Sequence, residues 1–175
     1  MISGASLHEA IAPRRDTRGW ARQSVRYGAL PAALLFCWLA FKSSGTTFNA
    51  DEAAYKIVET GLFQGKWPYR DLFVNRQPLM FLWYAPTGLG ASIPAEGLFA
   101  AAMIAASVPV VALLAGRWLS SRHASGAGAL YALLMANPFF TVRANVEAFM
   151  LLPLAAALAV SSPTLAGALF GIAVQ

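Results

Sequence analysis

The chain has 175 residues, of which 58% are hydrophobic and only 12% charged. A soluble domain of this length carries about a quarter charged residues, so the composition excludes an ordinary soluble enzyme and points to an integral membrane protein. The formal net charge of +5 is not a nucleic-acid signature, because the basic residues are not gathered on a soluble domain.

The first 26 residues form a basic tail carrying Arg14, Arg15, Arg18, Arg22 and Arg26 ahead of the first apolar run. Positive charge flanking a first span predicts a cytoplasmic N-terminus, with contact to anionic lipid as a lesser role. The run "YGALPAALLFCWLAFKSSG" (27–45) then reads as a first span from inside to outside. Pro31 falls in its first turn or two, where proline is tolerated. Lys42 lies near its far end and can snorkel to the interface. The run begins too far from Met1 for a signal peptide and has no convincing small-residue cleavage site, so it reads as a retained anchor. The single cysteine, Cys37, precludes an intrachain disulfide, and no Cys/His metal spacing exists.

A polar stretch of mixed charge follows over 46–78, with Asp51, Glu52, Lys56, Glu59, Lys66, Arg70, Asp71 and Arg76. Its aromatic residues, among them Trp67 and Tyr69, suit a membrane interface. Residues 50–63 read as one amphipathic helix with Ala54, Ile57, Val58 and Leu62 on its apolar face and Gly61 or Gly65 near its end. The acidic pair Asp51-Glu52 has a plain helix-start explanation. Asn49 is a favoured N-cap, Glu52 stands three residues on as in a capping box, and acids in a first turn complement the helix dipole. Glu52 and Lys56 are also spaced to pair. That explanation leaves Asp51 free for another task.

"QPLMFLWYAPTGLGASIP" (77–94) is apolar but broken by Pro86, Gly88, Gly90 and Pro94. Trp83 and Tyr84 within it read as interface anchors. The next run, 97–119, is long enough to cross and ends near Arg117, Arg122 and His123. Keeping 77–94 on the outer surface puts those positive residues inside, as the positive-inside rule prefers. Further spans are then expected at 124–142 and 146–160, joined by an outer turn that holds Arg143 and Glu147, and a last one beginning at 164–175. The expected fold is all-α: a polytopic transmembrane helix bundle with amphipathic juxtamembrane helices in the first outer loop, 46–94. Residues 27–175 form one module, and the end at "GALFGIAVQ" reads as the N-terminal part of something longer.

On this topology Asp51-Glu52 and the Arg143/Glu147 turn share the outer face. Ionisable residues at or near membrane depth are functional candidates by default. A positioned aspartate can accept the proton of a hydroxyl or amine attacking an anomeric carbon. Lys66, Arg70 or Arg76 can offset charge on a phosphate leaving group. A carboxylate cluster can equally hold a hard divalent cation, and the residues alone do not separate these options.

The order of motifs carries a resemblance. "DEAAY" after an inside-to-outside span is followed by "GLFQGKWPYRDLFVNRQPLMFLWY", and later by "NVEAFMLLPLAAAL". This resembles the GT-C superfamily of membrane glycosyltransferases, in particular bacterial relatives of dolichyl-phosphate-mannose protein mannosyltransferases and of the lipid A aminoarabinose transferase, over roughly 46–160. The chain departs from many such relatives at "RQPL", where they show Lys-Pro-Pro or His-Pro-Pro. The resemblance implies transfer of a sugar from a polyprenyl-phosphate donor to a lipid, glycan or protein acceptor, on the periplasmic face of a bacterial inner membrane. It implies Asp51 as catalytic base with Glu52 as its partner. It further implies a donor or acceptor site shaped by Tyr69, Arg70, Asp71 and Arg76, with Glu147 and Arg143 contributed by the second outer turn. The competing readings are a transporter or flippase fragment and a non-catalytic membrane assembly subunit. The first would place carboxylates inside spans, and the second would use the Ala- and Gly-rich helices for packing.

Overall fold

A computed structural model describes residues 17–43, 50–67, 69–71, 93–136 and 146–174. Among them there are six α-helices and no strand. They are α1 (Thr17–Ser43), α2 (Ala50–Phe63), α3 (Ile93–Ala115), α4 (Ser121–Met135), α5 (Val146–Ala159) and α6 (Pro163–Ala173). Two contain stretches long and apolar enough to cross a membrane, Val25–Lys42 in α1 and Ala95–Ala115 in α3. α1 begins well before the apolar run that starts at Tyr27, so Arg18, Arg22 and Arg26 lie on its first turns. The 77–94 question falls largely on residues outside the described set, but its last two residues, Ile93 and Pro94, open α3.

α3 is the central helix and packs against α1, α4 and α5; α1 also meets α4, and α5 meets α6. Contacts along the helices give their directions. Gly28 of α1 lies against Pro109 of α3, and Gly128 of α4 lies against Ala112 and Val108. Farther along, Ser107 and Tyr131 share a hydrogen bond of 2.9 Å, and the Trp38 indole donates to the carbonyl of Ala136 at 3.0 Å. α1 and α4 therefore run antiparallel to α3. Phe99 packs on Phe149 with ring centroids 5.6 Å apart, and Arg117 bonds the last turn of α5, so α5 runs parallel to α3.

The close crossings occur where side chains are smallest. A Cβ on Gly28 would stand 3.0 Å from the Pro109 Cα, and one on Gly128 would stand 3.0 Å from the Ala112 Cβ. Small residues let helix backbones approach, which is how helices gain van der Waals contact where no hydrophobic force separates them from their surroundings. Leu35, Leu39, Ala100, Ala101, Ile104, Val108, Ala132 and Phe149 fill the space between, and Tyr55 and Val58 extend this cluster to α2.

Turn chemistry sets the helix ends. α2 stops in a Schellman motif: Lys66 N–H donates to the Gly61 carbonyl at 2.9 Å and Gly65 N–H to that of Leu62 at 3.0 Å. The motif needs a left-handed residue, supplied by Gly65 at φ 77°. Pro163 opens α6 behind Ser162, whose side chain accepts the Leu165 N–H.

Candidate functional site

The helix directions gather charge at the two ends of the bundle. At one end lie Arg22, Arg26, Arg117, Arg122 and His123, on the first turns of α1 and around the α3–α4 turn. At the other lie α2 and the first turns of α3 and α5. This second end carries a buried ionic cluster. The Lys56 ammonium stands 2.9 Å from Glu59 Oε2 and 2.5 Å from Glu96 Oε1. Both carboxylate side chains are 1% exposed and that of Lys56 is 17% exposed, so the cluster is sheltered from solvent.

Burial is the largest influence on the Lys56 ammonium and pulls its pKa down. Hydrogen bonds and coulombic attraction from Glu96 and Glu59 together outweigh it, and the net direction is upward. Lys56 is therefore charged at neutral pH. The expected Glu52–Lys56 pairing lies outside the described set; among the described residues the partners of Lys56 are Glu59, one turn on, and Glu96 from α3.

The inner face of α2 differs from the expected one. Tyr55, Val58 and Glu59 are buried, Leu62 is half-buried, and Ala54 and Ile57 are exposed. The helix is rotated so that a glutamate, matched by Lys56, replaces isoleucine on the packed side. With 3.6 residues per turn, position 51 falls in register with Tyr55, Val58 and Leu62, and position 52 with Tyr55, Lys56 and Glu59. Positions 51 and 52 thus lie in register with the stripe of α2 that packs into the bundle. The side chains of Asp51, Glu52 and Glu147 lie outside the described set, as do Asn49, Arg76, Trp83, Tyr84 and Arg143. The backbone of Glu147 belongs to the first turn of α5, at the end of the bundle where α2 packs.

Residues 69–71, the "YRD" of "PYRD", lie in a turn. Asp71 Oδ2 accepts the Trp67 N–H at 2.9 Å, and its two oxygens accept Arg70 Nη2 at 2.8 Å and Arg70 Nε at 3.0 Å. The Arg70 guanidinium, then the Trp67 N–H, hold the Asp71 carboxyl below the usual carboxylate range. Tyr69 sits in the left-handed region at φ 67°, a conformation rare for a non-glycine residue. Its ring and the guanidinium of Arg70 are exposed. Asp71 is thus engaged in shaping the turn, and the side chains of Tyr69 and Lys66 are exposed.

Along the outer side of α2, Ala53, Lys56, Ile57, Thr60, Gly61, Gln64 and Lys66 line an open cavity of about 420 Å³. Among the described residues no three His, Cys, Asp or Glu are grouped as a metal site would need. Sequence pattern gives Glu59 no role beyond the mixed charge of 46–78 and gives Glu96 none. The available signal was two glutamates flanked by apolar residues, with one lysine a turn from Glu59. No family model, curated protein or solved structure gives a match to this chain.

Proposed function

We propose that the chain is the N-terminal part of an integral membrane glycosyltransferase that takes a sugar from a polyprenyl-phosphate donor. Membrane insertion is supported by how little of the two long apolar helices is packed: 17% of the α1 stretch and 39% of the α3 stretch are buried. The core helix of a soluble protein would be mostly covered. Leu30, Leu34, Phe41, Leu130, Leu133 and Leu158 point outward instead, as lipid-facing residues do. The arginines collected at one end make that end cytoplasmic under the positive-inside rule, leaving α2 on the outer face of a bacterial inner membrane.

The observation that carries the reading is the register of the acidic pair. A helix-start acid that served capping alone could fall on any side of α2. Positions 51 and 52 fall on the packed stripe, at the end of the bundle where α5 also begins. A carboxylate at such a mouth is partly withdrawn from water and can accept a proton from an acceptor hydroxyl. Lys66, exposed at one end of the open cavity, can face the donor phosphate, with Tyr69 and Arg70 beside it. Asp51 is the base and Glu52 its partner. Arg76, Arg143 and Glu147 complete the donor and acceptor contacts, and Asp71 holds the turn that presents Arg70.

The test is transfer from a panel of radiolabelled polyprenyl-phosphate-linked pentoses and hexoses, by membranes containing the full-length protein. Asp51→Asn should abolish transfer while leaving insertion and protein level intact. Unchanged turnover in that variant rejects the assignment of the base.

The buried Lys56–Glu59–Glu96 cluster gives one specific reason to keep the transporter reading as second. Glu96 lies at the first turn of an apolar stretch rather than at its middle, whereas transporter ion sites lie near the midplane. Potential-driven uptake of a labelled cation by vesicles holding the protein would favour that reading.

A further inference from the structure

We propose that Lys56 is a positioning residue for the acidic first turn of α2, acting through a clamp on Glu96 that fixes the rotation of α2 against α3. The inference rests on the glycosyltransferase reading for its catalytic meaning, and on the ion cluster for its geometry.

α2 is a 14-residue helix separated from α3 by residues 64–92, so the ion pair from Lys56 to Glu96 joins elements far apart in the chain. Among the described residues its buried hydrophobic side chains are Tyr55 and Val58, with Leu62 partly buried beside them. Two such residues fix which side faces inward only broadly, because a slip of one residue rotates a helix by about 100°. The lysine removes that freedom. Its ammonium lies between Glu59 on its own helix and Glu96 on the neighbour, all within 2.9 Å. Any rotation that carried Lys56 from Glu96 would strand Glu59 and Glu96 in a sheltered place without this cation, which buried carboxylates resist strongly. Charge pairing thereby specifies one rotational setting, as buried polar groups specify register in coiled coils. Position 52 lies one turn before Lys56 on the same stripe, and position 51 lies in line with Tyr55. Holding Lys56 therefore sets the direction in which the acidic pair leaves the helix.

The clamp can be exchanged without changing its composition. Lys56→Glu with Glu96→Lys keeps two carboxylates and one ammonium at the same three positions. Four proteins would be compared in nanodiscs: the full-length wild type, Lys56→Met, Glu96→Gln and the exchanged double variant. Sugar transfer is expressed per folded molecule. Lys56→Met is expected to lower kcat tenfold or more with the donor KM changed less than twofold, and the exchange to restore kcat to within threefold. A kcat for Lys56→Met within twofold of wild type overturns the proposal, as does an exchange that leaves kcat at the Lys56→Met level.

A second measurement stands apart from catalysis. Spin labels at Ala54→Cys and Leu119→Cys, both exposed positions, report the setting of α2 in a Cys37→Ser background. The distance distribution should be narrow in the wild type and the exchanged variant and broad in Lys56→Met and Glu96→Gln. Equal widths in all four overturn the clamp. Should the wild type transfer no sugar while the widths behave as expected, the clamp stands and the transferase reading falls.

Discussion

Arg117 donates from Nη1 to the carbonyl oxygen of Leu158 at 2.9 Å, and its Nη2 bonds the neighbouring carbonyl of Ala159. These are orphan carbonyls of the last turn of α5, which have no intrahelical partner. A guanidinium placed there satisfies them and opposes the negative end of the helix dipole. It also joins the α3–α4 turn to a helix begun some thirty residues later.

Arg117→Met should therefore lower stability by about 2 kcal/mol, within the range for hydrogen bonds to charged groups. Thermal unfolding in detergent would read this as a fall in Tm. Arg117→Lys should recover part of the loss, because one ammonium restores the charge but not the two-pronged geometry. A Tm for Arg117→Met equal to wild type would mean that the bonds contribute nothing net.

Removing Lys56 alone leaves Glu59 and Glu96 without their shared ammonium. Breaking a buried pair in this way costs about 3–5 kcal/mol. Replacing all three by neutral groups, Lys56→Met with Glu59→Gln and Glu96→Gln, should return most of that loss, since no uncompensated charge remains. Denaturant titration of the single and triple variants decides the matter, and a triple variant as unstable as the single would contradict the charge argument.

The pH dependence has two limbs. The Lys56 pKa is raised in the fold, so its contribution to stability is complete below the unfolded value of about 10.4 and is lost as pH rises through the higher folded value. Tm should fall in that alkaline range, and the fall should be weaker in the triple neutral variant. Asp71 is lowered, so its contribution is present above the unfolded value of about 3.9 and lost as pH falls through the lower folded value. Because Asp71 is exposed, the useful readout is its carboxyl carbon in an NMR titration, with a midpoint below 3.9. A midpoint at or above that value would show that the Arg70 and Trp67 bonds are not held in solution.

Two glycines separate crowding from helix propensity. A Cβ at Gly28 would press on the Pro109 backbone at 3.0 Å, whereas one at Gly126 meets nothing within 4 Å. Gly28→Ala should destabilise by about 1–3 kcal/mol through forced separation of α1 and α3. Gly126→Ala should stabilise by about 0.5–1 kcal/mol through propensity alone. Opposite signs in paired unfolding curves are the expected result, and matching signs would argue against the close crossing.

Much of the helical layout is legible in the sequence. Residues 50–63 were expected to form a helix and do so, because apolar spacing marked its body and glycines marked its end. The apolar run expected at 146–160 contains α5, and those at 97–119, 124–142 and 164–175 overlap α3, α4 and α6. Length and hydropathy suffice for features of that kind. The rotation of α2 was not readable. A periodicity argument puts Ile57 inward and leaves Glu59 outward, and the fold does the reverse because Glu59 meets a buried ammonium. Glu96 contributes from forty positions beyond Lys56 in the chain, a distance at which local pattern carries no signal. At Asp71 the structure adds local bonds, to the Trp67 N–H and the Arg70 guanidinium, that spacing alone does not show.

Two kinds of joint hold these helices, and they answer to different stresses. At the Gly28–Pro109 and Gly128–Ala112 crossings the helices meet through close apolar contact, which neither salt nor pH weakens directly. Among the described residues, α2 is joined to the bundle by the Lys56–Glu96 ion pair and by Tyr55, Val58 and Leu62. Alkali or loss of one charge should release α2 first while α1, α3 and α4 stay together, so that opening begins at the helix carrying Asp51. Such a release would leave the Gly28–Pro109 and Gly128–Ala112 crossings in place.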